Sequence, residues 1–263
     1  MKCKYLIIML IVAFAAVLGS TTAGFASILL SADNFAVLAG STVTNTGNST
    51  VIGDIGVWPL SAYTGYGTVT QTGAQHLGDA VAGTAQSDVT TAFNSLALMP
   101  VNSVLTGQNL GGLTLVPGVY KFNSEALLTG TLFLDAQGNN NAYWVFQIGT
   151  TLITEPNAAV IFKNPGSNAG VFWQVGSSAT LDTGTTFIGN ILADQMIALN
   201  TGATLNGRAL ARIAAVTMQG NTINSGNGFN GGLLPTATPE PASLSLLGLG
   251  LLGLMGFKKR NAK

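Results

Sequence analysis

A chain of 263 residues that is 47% hydrophobic, only 8% charged and rich in glycine, with 34 of them, suits many short strands and tight turns. Its formal net charge of zero hides a partition. Lys2, Lys4, Lys258, Lys259, Arg260 and Lys263 lie at the two ends, while the span Ser27–Pro241 holds four basic residues against all ten acidic ones, a net charge of −6. No basic patch is left to neutralise phosphates, which argues against nucleic acid as a partner.

The first residues read as a secretory signal over 1–26. Lys2 and Lys4 precede an apolar run from Tyr5 to Leu18, and the small residues Gly24 and Ala26 suit a cut before Ser27. The alternative is an uncleaved anchor helix. The single cysteine, Cys3, leaves with the signal, so the processed chain has no disulfide, thiol nucleophile or cysteine-based metal site.

From Asp33 to Val57 the chain reads as short strands punctuated by Thr-Gly, Thr-Asn and Gly-Asp turns. Val57 to Ala74, with Trp58, Pro59, Tyr63 and Tyr66, is less regular and reads as a cap. Asp79 to Ala97 carries the one clear helical pattern. Asp79 is a good N-cap, and Val81, Ala85, Val89, Ala92, Phe93 and Leu96 recur at three and four to make an apolar face. Gln86, Asp88, Thr91 and Asn94 fall on the opposite, polar side, and Pro100 ends the helix. Strands resume from Leu105, with a Pro117-Gly118 turn and the alternating Leu132, Leu134, Trp144, Phe146 and Ile148.

Between Val175 and Ser225 the chain repeats every 18 residues. Gly184, Gly202 and Gly220 align, as do Thr186, Thr204 and Thr222, the apolar Phe187, Leu205 and Ile223, and Ala179, Ile197 and Ala215. A short fixed period without helical spacing predicts a β-solenoid, in which each coil stacks on the next because it cannot bury its apolar side alone. Equivalent side chains then sit about 4.8 Å apart along the axis. This places a threonine ladder outside and Phe187, Leu205 and Ile223 inside. Ser178, Thr180, Met196, Ala198, Ala214 and Val216 are expected to point outward on a second flat face, and the sequence leaves open which face the helix covers.

The chain divides into a signal over 1–26, one domain over 27–228, a linker over 229–238 and a tail over 239–263. In the tail, Pro239-Glu240-Pro241 precedes an apolar run from Ala242 to Phe257 and then Lys258-Lys259-Arg260. This end resembles the PEP-CTERM sorting signal of Gram-negative bacteria. The resemblance implies export, a transient C-terminal transmembrane anchor in the inner membrane, and an exosortase that cleaves near Pro239–Pro241. The protein would then be held at the cell surface or released, and the membrane would be met only through the terminal segments.

The runs AVLAGSTVTNTG, GDIGV, LVPGVY, LTGTLFLDAQG, FQIGTTL, VFWQVGSSATLDTGT, GNILA, LNTGATLNGRALAR and VTMQGNTI occur in consistent order from Asp33 to Ile223. Together they resemble the bacterial and fungal ice-binding proteins. That family implies a mainly β, right-handed, discontinuous solenoid of triangular section, with one long helix alongside and the first coil docked out of sequence order. Its loose Thr-Ala/Gly-X-Thr/Asn motif is matched at Thr183–Thr186 and Thr201–Thr204, in part at Gln219–Thr222, and weakly at Thr46–Ser49. The resemblance therefore implies an ice-contacting set of Thr183, Thr185, Thr186, Thr201, Ala203, Thr204, Asn221 and Thr222, with ice and its ordered water as the partner. Threonine suits such a surface: its hydroxyl joins a water lattice, its methyl holds neighbouring water, and its β-branched side chain has few rotamers to lose.

Against this stands the plain reading, in which threonine is simply common in strands and Thr-Gly in turns. A rival function on the same fold is a surface-matrix or adhesion protein touching exopolysaccharide. An enzyme is not expected: His76 is the only histidine, Asp54, Asp79, Asp88, Asp182 and Asp194 are dispersed, and a polysaccharide-cleaving solenoid needs clustered carboxylates. No metal or cofactor is expected. Trp144 and Trp173 fall in apolar strand patterns and read as core rather than sugar platforms.

Overall fold

A computed structural model describes residues 27–166 and 168–226; the proposed signal and the sorting tail lie outside the described residues. A 3-10 turn (Leu30–Asn34) leads into β1 (Phe35–Ala39), β2 (Thr42–Thr46) and β3 (Ser49–Ile52). A second coil follows with β4 (Asp54–Val57), β5 (Ala62–Thr64) and β6 (Val69–Gln71), then β7 (Gln75–Leu77) and the helix α1 (Ala80–Ala97). Beyond the helix the coils are β8 (Ser103–Val104) with β9 (Thr114–Leu115); β10 (Gly118–Phe122), β11 (Ala126–Leu128) and β12 (Thr131–Asp135); and β13 (Tyr143–Ile148), β14 (Leu152–Thr154) and β15 (Ala159–Lys163). The last three are β16 (Gly170–Val175), β17 (Ala179–Leu181) and β18 (Thr186–Ile188); β19 (Asn190–Ala193), β20 (Ile197–Leu199) and β21 (Thr204–Asn206); and β22 (Ala209–Ala211), β23 (Val216–Gln219) and β24 (Thr222–Asn224).

The first, second and third strands of each coil stack into three parallel sheets, called A, B and C here, with nine, seven and eight strands. The stack is discontinuous in sequence. β22, β23 and β24 pair with β1, β2 and β3, so the N-terminal coils continue the solenoid beyond its last C-terminal coil. The helix returns the chain from that end to the other, where β8 begins.

Sequence alternation explains the interior. Phe187, Leu205 and Ile223 are all fully buried, and the aromatic column continues through Trp173, stacked on Phe146 at 3.9 Å and tilted against Phe187 at 4.7 Å. Trp144 and Trp173 are fully buried, and their indole nitrogens donate to the carbonyls of Leu115 and Ile188. The corner between sheets B and C needs a left-handed residue in each coil. Glycine supplies it at Gly130, Gly184, Gly202, Gly220, Gly47 and Gly65, and Asn157 takes the same place with φ 60°. The aligned glycines of the repeat are thus stacked: the Gly184 amide donates to the Thr201 carbonyl, and the Gly202 amide to that of Gln219.

The helix covers sheet A. Ala82, Ala85, Val89, Ala92, Phe93 and Leu96 pack on Leu38, Val119, Val145, Phe172, Leu192 and Leu210, all buried. Asp79 caps it as expected, its carboxylate accepting from the Ala82 amide at 2.9 Å, which holds that carboxyl below its ordinary pKa with help from His76. Two positions depart from the sequence pattern. Val81 is exposed and Ala82 takes its place, and Gln86 is buried rather than solvated, donating to the carbonyls of Ala211 and Arg212 at 2.9 and 2.8 Å. Gly83 lets the Trp58 ring approach: a Cβ there would lie 3.2 Å from it.

The 18-residue period also slips once. Ile197 pairs with Val216, not Ala215, and Ala198 with Thr217. One extra residue in the turn before β23 turns Val216 inward, where it is fully buried, and brings Thr217 outward. The second flat face therefore runs through Thr217, not Val216.

Candidate functional site: two open solenoid faces

With sheet A covered, sheets B and C are the open faces. On sheet C the pairing aligns Thr131, Ala159, Thr186, Thr204, Thr222, Thr50 and Thr70 into one outward file. Its last two rungs come from the N-terminal coils. Beside this file run Phe133 and Ile161, then Ile188, Asn206, Asn224 and Ile52, a mixture of large apolar side chains and amides.

On sheet B the outward file is Leu127, Ile153, Thr180, Ala198, Thr217, Thr44 and Thr64. Alternation puts Ser178, Met196, Ala215, Thr42 and Ala62 in a second file on the same face. From β17 to β5 these two files contain no charged or aromatic side chain. The turns bordering sheet B from β16 to β3 have at most four residues, whereas sheet C is bordered at one end by the connections 136–142 and 164–169.

The structure divides the sequence-derived set. Thr186, Thr204 and Thr222 belong to the sheet C ladder, while Thr183 and Thr201 are exposed in the turns between B and C. The motif therefore rounds a corner instead of lying on one face. Its third position points inward. Thr185 and Ala203 are fully buried and Asn221 is 2% exposed, so these three cannot touch an external surface. Their role is to hold the corner. The hydroxyls of Thr154 and Thr185 lie 2.8 Å apart, and the Asn221 amide group donates to the carbonyls of Asn200 and Ala203 at 2.8 and 3.1 Å. In the weaker match at Thr46–Ser49 the turn is one residue longer: Ser49 is buried and the ladder residue is Thr50.

The corner is polar but mostly satisfied. The Asp182 carboxylate accepts from the Asn200 side chain at 2.9 Å and the Thr183 amide at 2.7 Å, which lowers its pKa below the ordinary carboxylate value. Thr201 donates to Gln219 at 3.2 Å. His76 sits at the capping coil, its Nδ1 2.8 Å from Asp79 and its Nε2 3.9 Å from Asp54. Among the described residues no three His, Cys, Asp or Glu side chains come together as a metal site would need, and no helix is long and apolar enough to cross a membrane.

Thr44 and Thr64 on sheet B, and Thr50 and Thr70 on sheet C, extend the open surfaces beyond what the 18-residue repeat reaches. For Thr44 the sequence signal is the Thr-x-Thr alternation of β2, which acquires meaning only when β2 is docked on β23.

Known proteins share this arrangement. The ice-binding-like family model matches residues 37–224, and a PEP-CTERM protein-sorting motif matches 237–260. An ice-binding protein of Nostoc sp. (strain HG1) is 48% identical over 263 residues, covering 99% of this chain and 97% of its own. One from Leucosporidium sp. (strain AY30) is 33% identical, covering 74% of this chain and 81% of its own. The crystal structure of an ice-binding protein from the Antarctic ascomycete Antarctomyces psychrotrophicus superposes with a TM-score of 0.73 at 40% identity, covering 76% of this chain and 98% of its own. The three parallel sheets, the single flanking helix and the family match over most of the solenoid place this chain in the ice-binding-like family.

Proposed function

We propose that the domain adsorbs to ice and slows ice growth and recrystallisation, and that it does so through sheet B. The observation that carries the choice of face is its two adjacent uncharged files, in which Met196 is the one large side chain: Ser178, Met196, Ala215, Thr42 and Ala62 beside Thr180, Ala198, Thr217, Thr44 and Thr64. A crystal plane is two-dimensional, so contact needs breadth as well as repeat. Threonine hydroxyls and methyls at strand spacing order water in a lattice, alanine leaves the surface level, and many weak contacts act together. Thr183 and Thr201 extend the contact at its edge. The process needs no covalent chemistry, metal or cofactor. The sorting motif supports export, with exosortase processing at Pro239, Glu240 and Pro241.

A second reading keeps the contact on sheet C through Thr186, Thr204 and Thr222. It is favoured by the unbroken run of five threonines from Thr186 to Thr70. Ala198→Tyr and Thr204→Tyr each place one bulky ring in the middle of one face and, as exposed-side substitutions, are expected to change stability by less than about 0.5 kcal/mol. Thermal hysteresis should be abolished by Ala198→Tyr and kept by Thr204→Tyr. The reverse result moves the site to sheet C. A wild-type protein with neither hysteresis nor recrystallisation inhibition removes ice binding and leaves a surface-matrix role with exopolysaccharide.

A further inference from the structure

In an ordinary solenoid the chain leaves from the end of the stack. Here it leaves from the side. β24 is followed by Ser225 and Gly226 at the corner between sheets C and A, and the N-terminal coils are already docked beyond it. The Ser225 amide and hydroxyl both bond to the Ile52 carbonyl, at 3.1 and 2.9 Å, so the last described residues are fixed to a neighbouring coil. In three other coils that corner is turned by Gly189, Gly207 and Gly53, all with positive φ, which lead directly into the next sheet A strand. At Ser225 the chain instead departs. In a three-sided section the face opposite the C–A corner is sheet B. Ten residues, 227 to 236, separate this exit from the matched sorting motif at 237–260, a span of at most about 36 Å when fully extended.

We propose that the chain acts while still joined to the cell envelope through its C-terminal end, binding the cell to ice, with sheet B turned away from the envelope by the side exit. The inference rests on the reading of sheet B as the ice-contacting face. A side exit with a tether of this length lets the solenoid axis lie along the envelope rather than stand off it. This brings the whole of sheet B, seven strands long, into contact at once. It sets the helix-covered sheet A and the adjoining sheet C toward the envelope side. Many copies on one cell add their contacts, so cells with weakly adsorbing domains are retained more strongly than free protein.

The test uses the full chain produced in a host that carries the sorting machinery, with partition of whole cells into a slowly growing ice surface as the readout. Wild-type cells should be enriched in the ice at least about tenfold over cells lacking the chain, given multivalent contact. Ala198→Tyr should remove the enrichment and Thr204→Tyr should retain it. A chain stopped before Pro239 should appear in the medium with its hysteresis intact and leave the cells unretained. If wild-type cells are not enriched although protein released from them shows hysteresis, tethered action is wrong while ice binding stands. If that released protein shows no hysteresis, the reading of the face and this inference fall together.

Discussion

Arg208 shows how a single residue closes the break in the sequence order. It stands just before β22, is 2% exposed, and pairs with Asp33 just before β1 at 2.9 Å. Its Nε donates to the Asp33 carbonyl at 3.0 Å and its Nη1 to the Asn190 side chain at 3.0 Å. Burial lowers the guanidinium pKa and the Asp33 charge raises it, but arginine stays protonated regardless. The clamp thus joins residues 175 positions apart in the chain, at the seam on which both open faces depend. Arg208→Met removes one partner of a buried pair. It should cost about 3 kcal/mol, the low end for such a loss because the Asp33 side chain keeps 30% exposure to water. Chemical denaturation reads this as a lower midpoint, and hydrogen exchange should show β1 to β7 losing protection before β10 to β21. An unfolding free energy unchanged within about 0.5 kcal/mol would mean that the seam is held by packing and ladder bonds alone.

At the scale of elements, α1 and sheet A form a second, smaller core whose work is stability and not contact with a partner. Leu192 is fully buried in it, among Val89, Phe93 and their neighbours on the helix. Leu192→Ala should cost about 2–4 kcal/mol by leaving a cavity. Below the lowered melting temperature it should leave thermal hysteresis as it was, because sheets B and C are untouched; a parallel loss of hysteresis would tie the helix face to activity. The helix itself was legible from its period and from Asp79. The Val81–Ala82 exchange was not, since both side chains fit the pattern and only the docking angle chooses. Gln86 could not be read either: its amide is buried because carbonyls at the end of β22 need a donor, a demand set by an element over a hundred residues away. The threonine ladder on sheet C followed from the 18-residue repeat because the spacing from Thr186 to Thr204 to Thr222 stays at 18 residues. Sheet B was misread at Val216 because one residue enters the turn before β23 and the repeat recovers in the next turn, so the columns at both ends agree while the middle is shifted. The burial of Thr185, Ala203 and Asn221 was hidden for a related reason. A motif written along the chain does not show where the chain turns a corner.

At the scale of the whole molecule, the helix and the stack are matched in length between two fixed points, and this ties the number of coils in that interval to the length of α1. Two glutamines pin the helix at separate points. Gln86 on the helix donates to carbonyls at the end of β22, and Gln147 on β13 donates to the carbonyls of Leu96 and Met99 at 2.8 and 2.9 Å. Between β22 and β13 the sheet order crosses β19 and β16, three strand spacings, or about 14 Å. From Gln86 to Leu96 the helix rises ten residues, or about 15 Å. The stack therefore cannot gain a coil inside this interval without stretching past the helix. Repeating residues 190–207 once keeps an Asn190 side chain beside Arg208 and lengthens both open faces by one rung, yet it separates the two glutamine clamps by about 4.8 Å. That variant should unfold at lower denaturant concentration than wild type, with one helix end losing hydrogen-exchange protection. Repeating Val89 to Ala92 as well adds four helical residues, about 6 Å of rise and a rotation of about 40° beyond a full turn, which keeps an apolar residue toward sheet A. The double insertion should recover the midpoint and, with a longer sheet B, show hysteresis above that of the wild type. If the coil insertion alone is as stable as the parent, α1 is packed along the stack without setting its length.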